Sequence, residues 1–317
     1  MIKEISEWSM KPGRDGFGEG LLELGEVQPK VVVMDADLSK STRTNWFAAK
    51  YPERFIDMGI AEQDMLATAG GLSMMGLIPY TATYGTFVTG RAWDQIRTTI
   101  CYGELNVKIA GAHGGISVGA DGATHQALED VALMRAIPNM TVVVPCDAEE
   151  CKKATIAASE MYGPFYFRFG REATPVITHE NTPFKIGRAE TFHDGEDITV
   201  IANGPMVAEA LKAAYILEPQ GISVRVVNMH TVKPLDISVI IKAARETKAI
   251  ITMEEHSIIG GLGGAVAEFV SQNCPVKMKI IGTKDTFGES GQPDELLEAF
   301  GLTSEHLIEE IKNILKK

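Results

Sequence analysis

Short apolar, β-branched runs alternate with longer amphipathic stretches along almost the whole chain, and this alternation restricts the fold more than any other feature. The segments 30–35, 78–83, 107–113, 140–145 and 165–168 read as buried strands. Between them, 62–75, 87–102, 126–136 and 148–161 carry helical spacing. Strand–helix–strand repetition of this kind implies a largely parallel, doubly wound α/β sheet.

From Glu172 to Thr182 the pattern lapses into a polar stretch, and then it restarts. The segments 198–202, 224–228, 249–253 and 278–281 read as strands, with helices from about Val207, Asp236, Gly263 and Glu305. A length of 317 residues suits two α/β domains. The expected boundary lies near residues 172–190, giving one domain over 1–180 and a second over 181–317. Asp236, after Pro234-Leu235, is the expected N-cap of its helix.

Composition excludes several function classes. A net charge of −12 argues against a nucleic-acid surface, which needs a basic stripe. No stretch approaches the roughly 20 apolar residues of a membrane helix. The first residues carry Glu4 and Glu7 where a signal peptide would be basic, so a cytoplasmic location is expected. Cys101, Cys146, Cys151 and Cys274 have neither zinc-site spacing nor nearby histidines, and read as buried reduced thiols. Two glycine-rich spots, 16–20 and 260–264, do not complete a dinucleotide fingerprint after a strand and read as turns.

Three segments carry chemistry. The first is Asp57-Met-Gly-Ile-Ala-Glu-Gln-Asp-Met65, which places Glu62 in the first turn of a helix; alone, this is ordinary dipole compensation. The second is Pro79-Tyr-Thr-Ala-Thr-Tyr-Gly-Thr-Phe87, with Tyr84 and Phe87 expected one helical turn apart. The third, Ala112 to Gln126, is a glycine-rich loop between a strand and a helix in which His113 and His125 bracket Asp121. Open α/β sheets place ligands at such loops.

In this order and spacing the three segments resemble the pyrimidine-binding domain of transketolases, and the likeness runs from Phe17 to the C-terminal helix. The resemblance implies a thiamine diphosphate enzyme of two α/β domains, pyrimidine-binding and then transketolase C-terminal. Glu62 matches the glutamate that meets N1′ of the cofactor aminopyrimidine and favours its imino tautomer. Such a carboxyl has to donate a proton to a ring nitrogen, so burial against cofactor and partner must oppose the helix N-terminus. Phe87 matches the aromatic stacked on the aminopyrimidine, and Tyr84 a second aromatic of the pocket wall. By the same likeness His125 lies near the reacting carbonyl and Asp121 near a sugar hydroxyl. His113, Arg14, Ser41 and Arg171 match contacts to the substrate phosphate. Arg168, expected on the same strand face as Arg171, is the alternative phosphate contact. In the second domain His256 reads as an interface or packing residue.

The family also holds the cofactor diphosphate through a metal, Mg2+ or Ca2+, using a Gly-Asp-Gly motif followed by paired asparagines. No Gly-Asp-Gly occurs here. Met1 falls about where the pyrimidine-binding domain starts. The expectation is a split enzyme whose metal ligands lie on a separate N-terminal transketolase subunit, assembled as a heterotetramer acting on sugar phosphates. Arg91-Ala-Trp-Asp-Gln95 resembles deoxyxylulose-phosphate synthase instead. Such a synthase, a 2-oxoacid dehydrogenase β subunit and a noncatalytic stabilising subunit are the alternatives.

Overall fold

A computed structural model describes residues 2–316. Seven strands form the first sheet, in the spatial order Thr231–Lys233, Thr141–Val143, Phe165–Phe169, Lys108–Ala112, Ile78–Tyr84, Val31–Asp35 and Phe55–Asp57. All neighbours are parallel except the first pair. Every residue of Val31–Asp35, Lys108–Ala112 and Phe165–Phe169 is buried, as a sheet covered by helices on both faces requires.

The second sheet runs Lys277–Thr283, Ala249–Ser257, Ile198–Ala202, Val224–Asn228 and Glu190–His193, with only the last strand antiparallel. Thr231–Lys233 leaves this half to pair with Thr141–Val143, so the first sheet ends on a strand borrowed from later in the chain. A short ribbon joins Ser9–Pro12 to Ala173–Val176. This brings the N-terminal segment back beside the end of the Phe165–Phe169 strand.

Residues 16–20, expected as a turn, lie inside the helix Gly13–Val27, and both glycine-rich spots have packing explanations. A Cβ on Gly16 would sit 1.9 Å from the Ala148 carbonyl oxygen, so the helices Gly13–Val27 and Ala148–Glu160 touch backbone to backbone there. At the other spot the amides of Leu262 and Gly263 donate to the Glu254 carboxylate at 2.8 and 2.9 Å. That helix N-terminus is filled by the protein's own anion. Asp236 caps its helix by accepting from the Ser238 amide at 3.1 Å. The four thiols are free, with Cys101, Cys146 and Cys151 buried and Cys274 partly so.

Some boundaries differ from expectation. The helix expected over 87–102 is a short helix, Gly85–Arg91, followed by a π-helical segment, Gln95–Cys101. The helix expected from Gln126 begins at Asp130. Tyr84 is the last residue of its strand and precedes the helix that carries Phe87, so the two are not on one helix.

Candidate functional site

Five adjacent parallel strands of the first sheet deliver one group of side chains to one edge. Arg171 follows Phe165–Phe169, His113 follows Lys108–Ala112, and Tyr84 and Phe87 close Ile78–Tyr84. Ser41 follows Val31–Asp35, and Glu62 opens the helix after Phe55–Asp57. The register pairs Tyr84 with Ala112 and Ala112 with Phe169, so these strands end level with one another. Ligands of open α/β sheets bind at this carboxyl edge.

The rings form a cluster. Tyr84 stacks on His113 with centroids 4.0 Å apart and planes inclined by 23°. Phe87 lies 5.5 Å from Tyr84, nearly parallel, and His125 stands edge-on to Phe87 at 5.3 Å. His113 is 1% exposed and holds a left-handed backbone at φ 57°, a conformation uncommon for any residue but glycine. Burial, then the charges of Arg14 and Arg171, push its imidazolium down to about 3, so it is neutral at ordinary pH. Its Nδ1 is buried without a hydrogen-bond partner, as is Arg14 Nε. Buried polar atoms are normally satisfied, so these two donor-capable nitrogens mark a place for a polar ligand.

Arg14 donates from Nη1 to the Ser41 carbonyl at 3.2 Å, and Tyr84 donates its hydroxyl to Ser41 Oγ at 3.3 Å. The Ser41 turn is fixed from below by Asp35. Its carboxylate accepts from the Leu38 amide at 2.5 Å and from the Thr42 and Thr44 hydroxyls at 2.7 and 2.8 Å. Burial nevertheless pushes Asp35 up to about 6. Arg171 pairs with Asp121 at 3.0 Å, so these two sequence-predicted residues hold each other. Arg43, which bonds Asp15 at 2.6 Å, adds a third guanidinium beside Arg14. Burial and Arg43 lower Arg14 from its ordinary value.

Arg168 does not share this edge. Arg171 lies three positions further on, an odd step that reverses strand faces, and the strand ends at Phe169, so the two do not lie on one strand face. Arg168 is buried, pairs with Asp130 at 3.0 Å, and donates to the Ala127 and Glu255 carbonyls. The Tyr166 hydroxyl gives Asp130 a further bond at 2.6 Å. A Cβ on Gly114 would lie 2.3 Å from Arg168 Nε, and one on Gly115 the same distance from Glu255 Oε1. The loop after His113 is glycine-rich because it passes over this buried network. His256 is buried too, with Nε2 accepting from the Ala132 amide at 3.3 Å.

Glu62 is 4% exposed and is bound by Arg91, whose Nη1 lies 2.8 Å from Oε1. The Arg91 guanidinium also covers the Phe87 ring at 4.0 Å. Sequence reading missed Arg91 and Asp35 as parts of the site. Arg91 was within reach of it, since a residue four after Phe87 on a helix shares its face.

A buried carboxylate beside a partly buried aromatic ring fits an aminopyrimidine, which offers hydrogen-bonding nitrogens and a π surface. Among the described residues no cluster of His, Cys, Asp or Glu could hold a metal ion. Nor is any described helix long and apolar enough to cross a membrane.

Residues 10–176 match the transketolase pyrimidine-binding domain and residues 187–307 the transketolase C-terminal domain. A Methanocaldococcus jannaschii protein provisionally named as a transketolase C-terminal section is 47% identical over 96% of both chains. The 6-deoxy-6-sulfo-D-fructose transketolase subunit SqwH of a Clostridium species is 41% identical, over 93% of this chain and 92% of its own. A solved structure described as a split gene transketolase, inactive beta4 tetramer, superposes with a TM-score of 0.90. It is 47% identical, over 96% of this chain and 98% of its own. The chain belongs to the transketolase family, of which it carries the pyrimidine-binding and C-terminal domains, and it is similar from end to end to the C-terminal section of split members.

Proposed function

We propose that this chain is the C-terminal subunit of a two-chain, thiamine diphosphate-dependent transketolase that moves a two-carbon ketol unit from a ketose phosphate to an aldose phosphate. The observation that carries the reading is the gathering of Glu62, Tyr84, Phe87, His113 and His125 at one sheet edge beside Arg14, whose Nε is unpartnered. When bound, the cofactor supplies the nucleophilic carbon that breaks and remakes the bond next to the carbonyl.

In this reading Glu62 donates to N1′ of the aminopyrimidine, Phe87 stacks on that ring and Tyr84 forms the pocket wall. His125 stands near the reacting carbonyl, where an imidazole can give or take a proton, and Asp121 meets a sugar hydroxyl. His113, Arg14, Ser41 and Arg171 bind the phosphate, with the arginines supplying charge-assisted bonds. Arg171 is assigned over Arg168 because Arg168 is committed to Asp130. The metal, Mg2+ or Ca2+, and the diphosphate are held by an N-terminal subunit, and two chains of each kind form a cytoplasmic heterotetramer. The division between the two domains is assigned to residues 180 and 181. Likeness to a sulfofructose transketolase subunit favours one second reading, a donor with a sulfonate in place of the phosphate.

A donor–acceptor assay with the partner saturating tests the proposal. Two-carbon transfer from a ketose phosphate to an aldose phosphate is the expected result. Turnover with a 6-sulfo ketose alone would replace the substrate, and turnover with pyruvate alone would replace the reaction.

A further inference from the structure

Arg91 belongs to none of the roles above, yet it touches both groups assigned to the aminopyrimidine. Its Nη1 is 2.8 Å from Glu62 Oε1, and its Cζ is 4.0 Å from the centre of the Phe87 ring. We infer that Arg91 is a gate: its guanidinium stands where the aminopyrimidine ring would lie, and cofactor entry requires it to swing out. The inference rests on the cofactor reading given under Proposed function.

The chemistry of the two groups is parallel. A guanidinium is planar, stacks on aromatic faces and donates hydrogen bonds to a carboxylate. An aminopyrimidine in this place would use the same ring face and the same carboxylate. Two planar groups cannot share one contact distance above Phe87, so occupancy is exclusive.

The arrangement also serves Glu62. A carboxylate this buried is costly without a partner, and Arg91 is its only ion-pair partner among the described residues. A paired carboxylate only accepts hydrogen bonds, whereas Glu62 has to donate one to a ring nitrogen, so Arg91 has to leave before it can do so. Departure is open to it: Arg91 is the last residue of Gly85–Arg91, and its side chain is 49% exposed. Its backbone carbonyl accepts from Gln63 Nε2 at 2.9 Å, so the helix end is anchored by a contact that does not involve the side chain.

Calorimetric titration of thiamine diphosphate with magnesium into the two-chain enzyme tests the gate, using wild type, Arg91→Met and Arg91→Lys. Methionine keeps the length and removes both competing contacts; lysine keeps the charge and loses the planar stack. The gate predicts about fivefold tighter binding for Arg91→Met, equivalent to about 1 kcal/mol, and an intermediate value for Arg91→Lys. A residue that merely supports the site would give weaker binding. Equal or weaker binding in both variants, with wild type binding normally, overturns the gate and leaves the cofactor reading standing. No cofactor binding by wild type or variants overturns the cofactor reading and the gate with it. In wild type alone, guanidinium proton exchange of Arg91 should be slow in the lone chain and fast in the loaded complex. Unchanged exchange would also overturn the gate.

Discussion

Burial of a neutral His113 predicts a specific acid sensitivity. In the unfolded chain its imidazole titrates near the ordinary value of 6.5, while in the folded chain it is pushed down to about 3. The unfolded state therefore binds a proton that the native state refuses, and stability is lost as pH falls from 6.5 towards 3. Between pH 7.5 and 4.5 the linkage integral gives a loss of about 2.5 kcal/mol from this group. The figure barely changes if the folded value is 4, because at pH 4.5 the native imidazole is still mostly neutral. The comparison is with His113→Asn, since asparagine tolerates the φ of 57° at this position and has no proton to gain. Asp35, pushed up to about 6 by burial, works in the opposite direction, its contribution falling as pH rises from 3.8 to 6. It is present in both proteins and cancels in the difference. Urea unfolding at the two pH values should show wild type losing about 2.5 kcal/mol more than the variant. Equal losses would refute the claim that His113 is held neutral by burial and by Arg14 and Arg171.

Glu62→Ala should leave folding nearly intact, because it releases a half-exposed Arg91 to solvent, while activity of the two-chain enzyme falls about 10²–10⁴-fold in steady-state assays. Arg14→Ala and Arg171→Ala should raise KM for a phosphorylated donor about ten- to hundredfold, with a much smaller change for hydroxypyruvate; equal effects on both donors would make these arginines structural. Arg168→Met should cost about 3–5 kcal/mol in urea unfolding by leaving buried Asp130 without its cation, and a loss below 1 kcal/mol would show that the pair is not what ties the Ala127 and Glu255 segments together.

The strands that carry the site were legible because a parallel sheet covered on both faces demands near-continuous apolar runs, as in residues 31–34 and 165–167. What local pattern could not convey was pairing over distance. Thr231–Lys233 is too short to announce itself as a strand and becomes one by pairing with Thr141–Val143. The break after Arg91 was also hidden, since Thr98 satisfies its hydroxyl on the Asp94 carbonyl and apolar spacing continues through Ile96 and Ile100. Arg168 and Arg171 are indistinguishable by residue type; only the end of the strand at Phe169 and the buried Asp130 separate them. Glu62 was visible in its segment, but its bond to Arg91 depends on a neighbour from another strand–helix unit. The glycines of the His113 loop suggested a ligand loop, and the structure adds their second cause, the close passage over Arg168 and Glu255.

The central claim is that this chain holds half of a cofactor site and requires a second chain to complete it. Isothermal titration of thiamine diphosphate with magnesium measures it directly, first into this chain alone and then into an equimolar mixture with a diphosphate-binding N-terminal subunit. At micromolar concentrations the account predicts no binding heat from the chain alone, and binding with ketol transfer in the mixture that saturates near a one-to-one ratio. Tight cofactor binding and turnover of a ketose phosphate by this chain alone would contradict it.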